Sequence, residues 1–328
     1  VTSTQAKRRV GSLEVLLVGL IALAVSAGAV SAFVAGSPNL STAATVFCGV
    51  FVQALPFLVL GVVVSGLIAT FVSAERLSRW LPSRPALAVA VAGLGGAALP
   101  GCECGSVPIA RRLFGPGTNG AAALTFMLSA PAINPVVLVA TAVAFPGQPK
   151  IVVARCLASL ATAVAMGLLW SRFGRAEWVT RSLPDAAPVG SSRWTVFTEA
   201  ASHDFLQAAS YLVVGAGAAA ALHVLVPAWM FEHLAGHLVV GVVTMALLAV
   251  VLALCSEADA FVVASLTMVP LVPRLVFLVV GPAFDVKLSA MQAGMFGRRF
   301  AMRFGPATFV VATVIGTVVG LAILGAGS

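Results

Sequence analysis

Apolar residues in this chain run in long unbroken stretches. They do not alternate with polar ones at the spacing of a half-buried strand or a surface helix. Val15–Ala35, Ala43–Val72 and Pro306–Ser328 contain no charged residue, and Gly120–Gln148 is equally bare. Each of these stretches matches or exceeds the ~20 apolar residues that span a bilayer as a helix. The pattern predicts helices near 13–35, 43–72, 119–145, 150–171, 204–224, 274–296 and 306–326. Two shorter apolar stretches fold back on themselves as hairpins, at 86–112 and 237–271. A polar segment over 172–203, rich in Pro, Ser and Arg, separates two halves and reads as a solvated linker.

Composition agrees with this pattern. The chain is 60% hydrophobic and 9% charged, against roughly 25% charged in a soluble domain. An all-α polytopic protein of the cell (cytoplasmic) membrane is expected, with lipid around it. The net charge of +8 lies in the breaks between apolar runs, where it sets topology; no nucleic-acid partner is implied. Lys7, Arg8 and Arg9 before an apolar run also fit a signal peptide, with Ala27-Gly28-Ala29 as its cleavage site. The run is long for that, so a retained first helix is favoured. Five cysteines within spans make no disulfide framework. Cys48 and Cys156 read as small buried hydrophobes.

The halves repeat. "FVQALPFLVLG" at 51–61 aligns with "FLQAASYLVVG" at 205–215, an offset of 154. Cys102 aligns with Cys255 at an offset of 153, each opening a polar cluster, "CECGS" and "CSEAD". "FMLSAPAIN" at 126–134 aligns with "FLVVGPAFD" at 277–285, offset 151. If 86–112 is re-entrant, fifteen of the nineteen basic residues fall on one side, the cytoplasmic side by the positive-inside tendency. A full crossing there would put Arg172–Arg193 outside. The expected organisation is an N-terminal helix (1–40), a first transmembrane repeat (41–171), a cytoplasmic linker (172–203) and a second repeat (204–328). An odd number of crossings per repeat makes the two inverted, each with a re-entrant or broken-helix hairpin, as in many transporters.

Both hairpin tips then lie near the bilayer midplane. One carries Cys102, Glu103 and Cys104, and the other Cys255, Glu257 and Asp259. The helix after each tip is interrupted at Pro131-Ala132-Ile133-Asn134 and at Pro282-Ala283-Phe284-Asp285. An ionised acid at membrane depth costs ~3 kcal/mol or more, which points to a polar site built from these groups. The expected assignment has Cys102, Glu103, Cys104, Asn134, Cys255 and Asp285 binding a solute. Glu103, Glu257 and Asp259 exchange protons.

Plainer readings stand beside each. Glu103 or Asp259 pairs structurally with Arg111, Arg112 or Lys287. The Cys-x-Cys pair is packing, since it is a weak metal motif and buried thiols resist ionisation. Gln53 and Gln207, at equivalent positions, reach the site or bond between helices. Arg111 and Arg112 anchor topology, and Gly93, Gly95 and Gly96 permit close helix packing. His233 and His237, beside Glu232, read as a wet helix end rather than a zinc site. No nucleophile–base set, phosphate loop or dinucleotide-binding glycine pattern appears, so no enzyme and no cofactor is expected.

"PFLVLGVVVSG", "LPGCECGSVPIARRLFGPGTNGAAALTFMLSAPAINP" and "CSEADAFVVAS" resemble the permease family that includes the YraQ-like proteins and the organoarsenical efflux permeases. The resemblance covers roughly 45–325 and implies a permease of duplicated halves. Such permeases often read Cys-Ser-Cys-Gly, where this chain has Glu103 between its thiols, so the cargo is not carried over. The reading is a secondary transporter, an exporter of a small solute such as a soft metal(loid) or thiol-reactive compound, with a homo-oligomer as a possible assembly. The alternatives are a membrane thiol oxidoreductase using Cys102 and Cys104, and an ion channel. The topology has a direct test. An impermeant thiol reagent added outside will miss cysteines placed at 75–85, 111–118 and 175–195 and reach those at 36–42 and 146–149. Outside labelling of 175–195 would refute the inverted arrangement.

Overall fold

A computed structural model describes residues 36–71, 84–98, 103–114, 120–179, 192–225, 238–267 and 269–325. The expected first helix near 13–35, most of the basic segment 76–84, Cys102 and the pair His233/His237 lie outside the described residues. Among the described residues the chain is helical and without strands: α1 Pro38–Phe71, α2 Pro85–Gly95, α3 Glu103–Leu113, α4 Gly120–Ile133, α5 Pro135–Ala144, α6 Pro149–Phe173, α7 Arg193–Leu225, α8 Leu238–Leu252, α9 Asp259–Ser265, α10 Leu271–Ala283, α11 Val286–Met295 and α12 Arg298–Leu324. Four stretches are long and apolar enough to cross a membrane: Pro38–Leu67, Gly120–Ala144, Pro149–Phe173 and Arg298–Leu324. The protein is an all-α polytopic membrane protein, as its hydrophobic pattern implies.

Prolines mark the helix boundaries. Pro85, Pro135 and Pro149 sit in the first turn of α2, α5 and α6, where a missing N–H costs nothing. The stretches near 119–145 and 274–296 are each two helices rather than one. α4 gives way to α5 at Asn134, whose side-chain oxygen accepts from the Val137 N–H at 3.0 Å. α10 gives way to α11 at Asp285, which accepts from the Leu288 N–H. A short polar side chain at each break satisfies a helix start that lipid could not.

The halves pack alike. α2 lies on α4 and α4 on α6; likewise α8 lies on α10 and α10 on α12, and the two groups join where α6 meets α12. Leu275, Phe277 and Val280 of α10 fill one core with Ile151 and Met245. A second core, with Leu58, Val107, Leu124, Leu212, Met291 and Phe300, joins α3, α4 and α11 to the long pair α1 and α7. Outward faces are apolar, as Val310, Val314 and Val318 of α12 show, which suits a lipid surround.

The region 172–203 is less of a loop than its composition suggests. α7 begins at Arg193, so its first three turns fall within the expected linker 172–203; Phe197 there packs against Gly66 of α1. Trp178 stacks edge-on against Trp170 at 5.7 Å, with Arg303 over its other side. Local Pro, Ser and Arg content gave no sign of the contacts to Gly66 and Arg303, both more than a hundred residues away in sequence. Gly96 and Gly95 divide the glycine expectation. A Cβ on Gly96 would lie 2.7 Å from the Ala130 nitrogen, whereas one on Gly95 meets open space. Gly96→Ala is therefore expected to cost about 1–3 kcal/mol, read as a lower midpoint of thermal unfolding in detergent. Gly95→Ala will leave the midpoint in place.

Candidate functional site

The first tip enters α3 at Glu103, and both Glu103 and Cys104 are fully buried. The second tip leaves α8 through Ala253, a non-glycine residue with φ of 46°, a left-handed conformation that alanine adopts only when its surroundings impose it. The turn that follows is closed by the Ala258 and Asp259 N–H groups, which both donate to the Cys255 carbonyl, at 2.9 and 3.0 Å. This turn aims Cys255, Ser256 and Glu257 into the protein before α9 starts.

Lys287, on the first turn of α11, lies between the tips. Its side chain is fully buried. Its ammonium pairs with Glu103 Oε1, stands 3.8 Å from Asp285 Oδ2 and donates to Cys255 Sγ at 3.8 Å. One cation thus connects the first tip, the second tip and the second helix break. Around it several buried polar groups are left over. The second carboxylate oxygen of Glu103, both of Glu257, Asp285 Oδ2, Ser289 Oγ and the Gln292 carboxamide are buried without a hydrogen-bond partner. Buried polar atoms are almost always paired, so this concentration of unpaired ones distinguishes the region.

Asp259 belongs to a different arrangement. Arg155 of α6 reaches it with both carboxylate oxygens at 2.9 Å. The same guanidinium donates to the Ser256 carbonyl at 2.9 Å and the Thr141 hydroxyl at 2.7 Å. A planar fork suits such multiple recognition. This pair ties the second tip to α5 and α6, so Asp259 is charge-compensated while Glu257, two residues earlier, is not.

The remaining candidates divide. Asn134 is buried and its carboxamide serves the helix break, donating to the Ala130 carbonyl at 2.9 Å as well as capping α5. Gln207 donates to the Gly294 carbonyl at 2.9 Å, a bond between helices. Arg111 is buried on the Met295 and Phe114 carbonyls. Arg112 pairs with Asp204 of α7 at 2.9 Å. Among the described residues no group of three or more His, Cys, Asp or Glu side chains is arranged to hold a metal ion. Sequence reasoning underrated Lys287 and Arg155 and did not single out Ser289 or Gln292. The available signal was that the apolar helices carry cations as well as acids, and each must find a partner there.

A family model described as a predicted permease matches residues 39–321. The "UPF0718 protein YcgR" of Bacillus subtilis is 33% identical over 279 residues, covering 83% of this chain and 94% of the relative. A Streptococcus mutans protein named "putative two-component membrane permease complex subunit" is 28% identical over 283 residues, 84% of this chain and 94% of its own length. No solved structure matches the chain.

The Arg155–Asp259 pair yields a prediction independent of cargo. Arg155→Met leaves a carboxylate buried alone and is expected to destabilise the protein by about 3–5 kcal/mol. Adding Asp259→Asn removes the orphaned charge and will recover part of the loss. Equal unfolding midpoints for the single and double variants would contradict this account.

Proposed function

The chain belongs to the predicted permease family, which makes it a multi-pass membrane permease, and from that premise we propose a secondary transporter that exports a small soft or thiol-reactive solute. In this reading the two halves are inverted repeats and the solute binds between their tips. Cys104 and Cys255 contact it, joined by Cys102 from the first tip, while Asp285 and Asn134 shape the cavity. Glu103 and Glu257 exchange the coupling protons. The expected coupling role of Asp259 is narrowed to holding the second tip, because Arg155 already neutralises it.

One observation carries the reading. Around a single lysine that pairs with Glu103 Oε1, the other Glu103 oxygen, both oxygens of Glu257 and Asp285 Oδ2 are buried without a hydrogen-bond donor. For stability alone, apolar residues of similar size would serve as well or better. Unpaired acceptors at membrane depth are therefore read as sites for protons and solute. Lys287 is the resident counterion, paired with Glu103 until solute or proton displaces it.

The Streptococcus mutans relative is named a subunit of a two-component permease complex, which supports a second component here, either another copy of this chain or a different membrane protein. Copurification from mildly solubilised membranes addresses that point.

The transport test uses everted membrane vesicles loaded by an imposed proton gradient. Metals, metalloids and thiol-reactive compounds are screened as cargo. Lys287→Met and Glu103→Gln are expected to lower uptake more than about tenfold, the scale on which losing one well-placed charged partner acts, with the protein still in the membrane. Cys104→Ser and Cys255→Ser will lose the soft cargo, and that cargo will protect Cys104 from small permeant alkylating reagents. Normal transport by both serine variants would remove the soft-solute assignment and leave a permease working through its acids and Lys287.

A further inference from the structure

Resting on the inverted-repeat permease reading, we infer that the α1/α7 pair has a second docking surface on this protein, the exposed faces of α5 and α9, and that exchange between the two surfaces opens the site alternately to each side of the membrane. The repeat offsets carry this. Gly61 and Gly215 are equivalent positions of α1 and α7, and each makes a close backbone approach. Gly61 meets the Gly105 backbone of α3, and Gly215 would set a Cβ 2.7 Å from the Lys287 Cα of α11. In a symmetric molecule both glycines would touch equivalent elements, but α3 and α11 are not equivalent. The repeat equivalent of α3 is α9, and that of α11 is α5.

The uncovered equivalents show this in their side chains. The offset of 151 maps Val136, Val139 and Val143 of α5 onto Lys287, Ala290 and Gly294 of α11. These are one helix face in each case. On α11 that face lies under α7, with Gly215 on Lys287 and Gln207 and Tyr211 on Gly294. On α5 the same face is open, with Val139 and Val143 each 62% exposed. The offset of 153 maps Phe261 and Val262 of α9 onto Pro108 and Ile109 of α3. Pro108 and Ile109 are buried, whereas Phe261 is 50% exposed. Among the described residues no packing like that of α1 on α3 or α7 on α11 joins α1 to α5 or α7 to α9.

The correspondence names the occupant of each open face. α1 lies on α5, with Gly61 at Val136. α7 lies on α9, with Gly215 at Ala258. α3 and α11 lead to Arg111/Arg112 and Arg298/Arg299, the basic and hence cytoplasmic side. The present arrangement therefore closes the cytoplasmic half of the site. It is held by a latch at that end, where Asp204 of α7 accepts from Arg112 at 2.9 and 3.1 Å and from Ser65 of α1 at 2.7 Å. The equivalents of Asp204 and Arg112 are Val50 and Ser265, so the other arrangement has no such pair. The cytoplasm-closed form is the resting form.

The test places photoreactive benzoylphenylalanine at Val139, or at Ala290 as the control, in the full chain in membranes. Cross-linked peptides are mapped by mass spectrometry. The Ala290 probe will attach to α7 in the parent protein. In Asp204→Asn the attachment of the Val139 probe to α1, within residues 51–65, will rise by about tenfold, the consequence of removing one partner of a mostly buried ion pair. If Asp204→Asn does not accumulate, Ser65→Ala tests the same shift with a milder cut. No rise in the variant that folds, with the Ala290 cross-link intact, overturns the exchange. Solute flux is measured on the same membranes. Flux without the α1–α5 cross-link leaves the permease reading standing and removes the exchange, and the cross-link without flux does the reverse.

Discussion

A buried ammonium with more acid than base around it constrains the whole centre of this molecule. Lys287 has no water to solvate it, and an isolated charge at that depth would cost far more than a protein's net stability. Its neighbours must therefore come to it. Glu103 arrives from the first hairpin tip, Cys255 from the second and Asp285 from the helix break just before it. Of the three, only Asp285 is near Lys287 in sequence. The ion cluster is what makes the two halves a single unit at their centre, while apolar packing of α6 on α12 joins them further out.

The same requirement explains the broken helices. A continuous helix through 120–144 or 271–295 would present only side chains where Asn134 and Asp285 now stand. Interrupting it exposes N–H groups at the start of α5 and α11, whose dipole favours negative charge nearby. Asn134 and Asp285 occupy that position in the two halves and differ in charge. The neutral cap belongs to the half whose cation, Arg155, is committed to Asp259. The charged cap belongs to the half that supplies Lys287. The repeats are alike in backbone and unlike in electrostatics, so one break serves architecture while its counterpart stands against the unpaired acids.

Much of the fold was legible because lipid leaves few options. Long uncharged runs must be helices, prolines mark their starts, and the three repeat offsets place corresponding breaks and tips without any structure. The start of α7 was not legible, because Trp178, Phe197 and Arg303 meet partners more than a hundred residues away, and composition reports only local chemistry. The acids of the site were visible as rare residues in apolar runs. Their partners were not. Glu103 had Arg111 and Arg112 close by in sequence, yet those arginines turn to the Met295 carbonyl and to Asp204, and the pairing with Lys287 spans the two halves. Charge balance within the spans could have narrowed the choice, since Arg155 and Lys287 are the cations with no other solvation. It could not have said which acid each would take.

That division of partners carries a consequence for how the protein works. The Arg155–Asp259 pair is charge-balanced, with the guanidinium also holding a carbonyl and a hydroxyl, and it ties the second tip to α5 and α6. The Lys287 cluster is incomplete, since its acids retain acceptor capacity that a single ammonium does not fill. The Arg112–Asp204 pair is complete but lies at the edge, between elements that otherwise meet through apolar packing and two close glycine contacts. A molecule that moves needs these three kinds of contact in different places: fixed pairs inside each moving body, unsatisfied groups where the cargo or proton enters, and a breakable pair where the bodies part. In the proposed exchange, α2 to α6 and α8 to α12 form one body and α1 with α7 the other, and the unsatisfied acids lie on the side of the first.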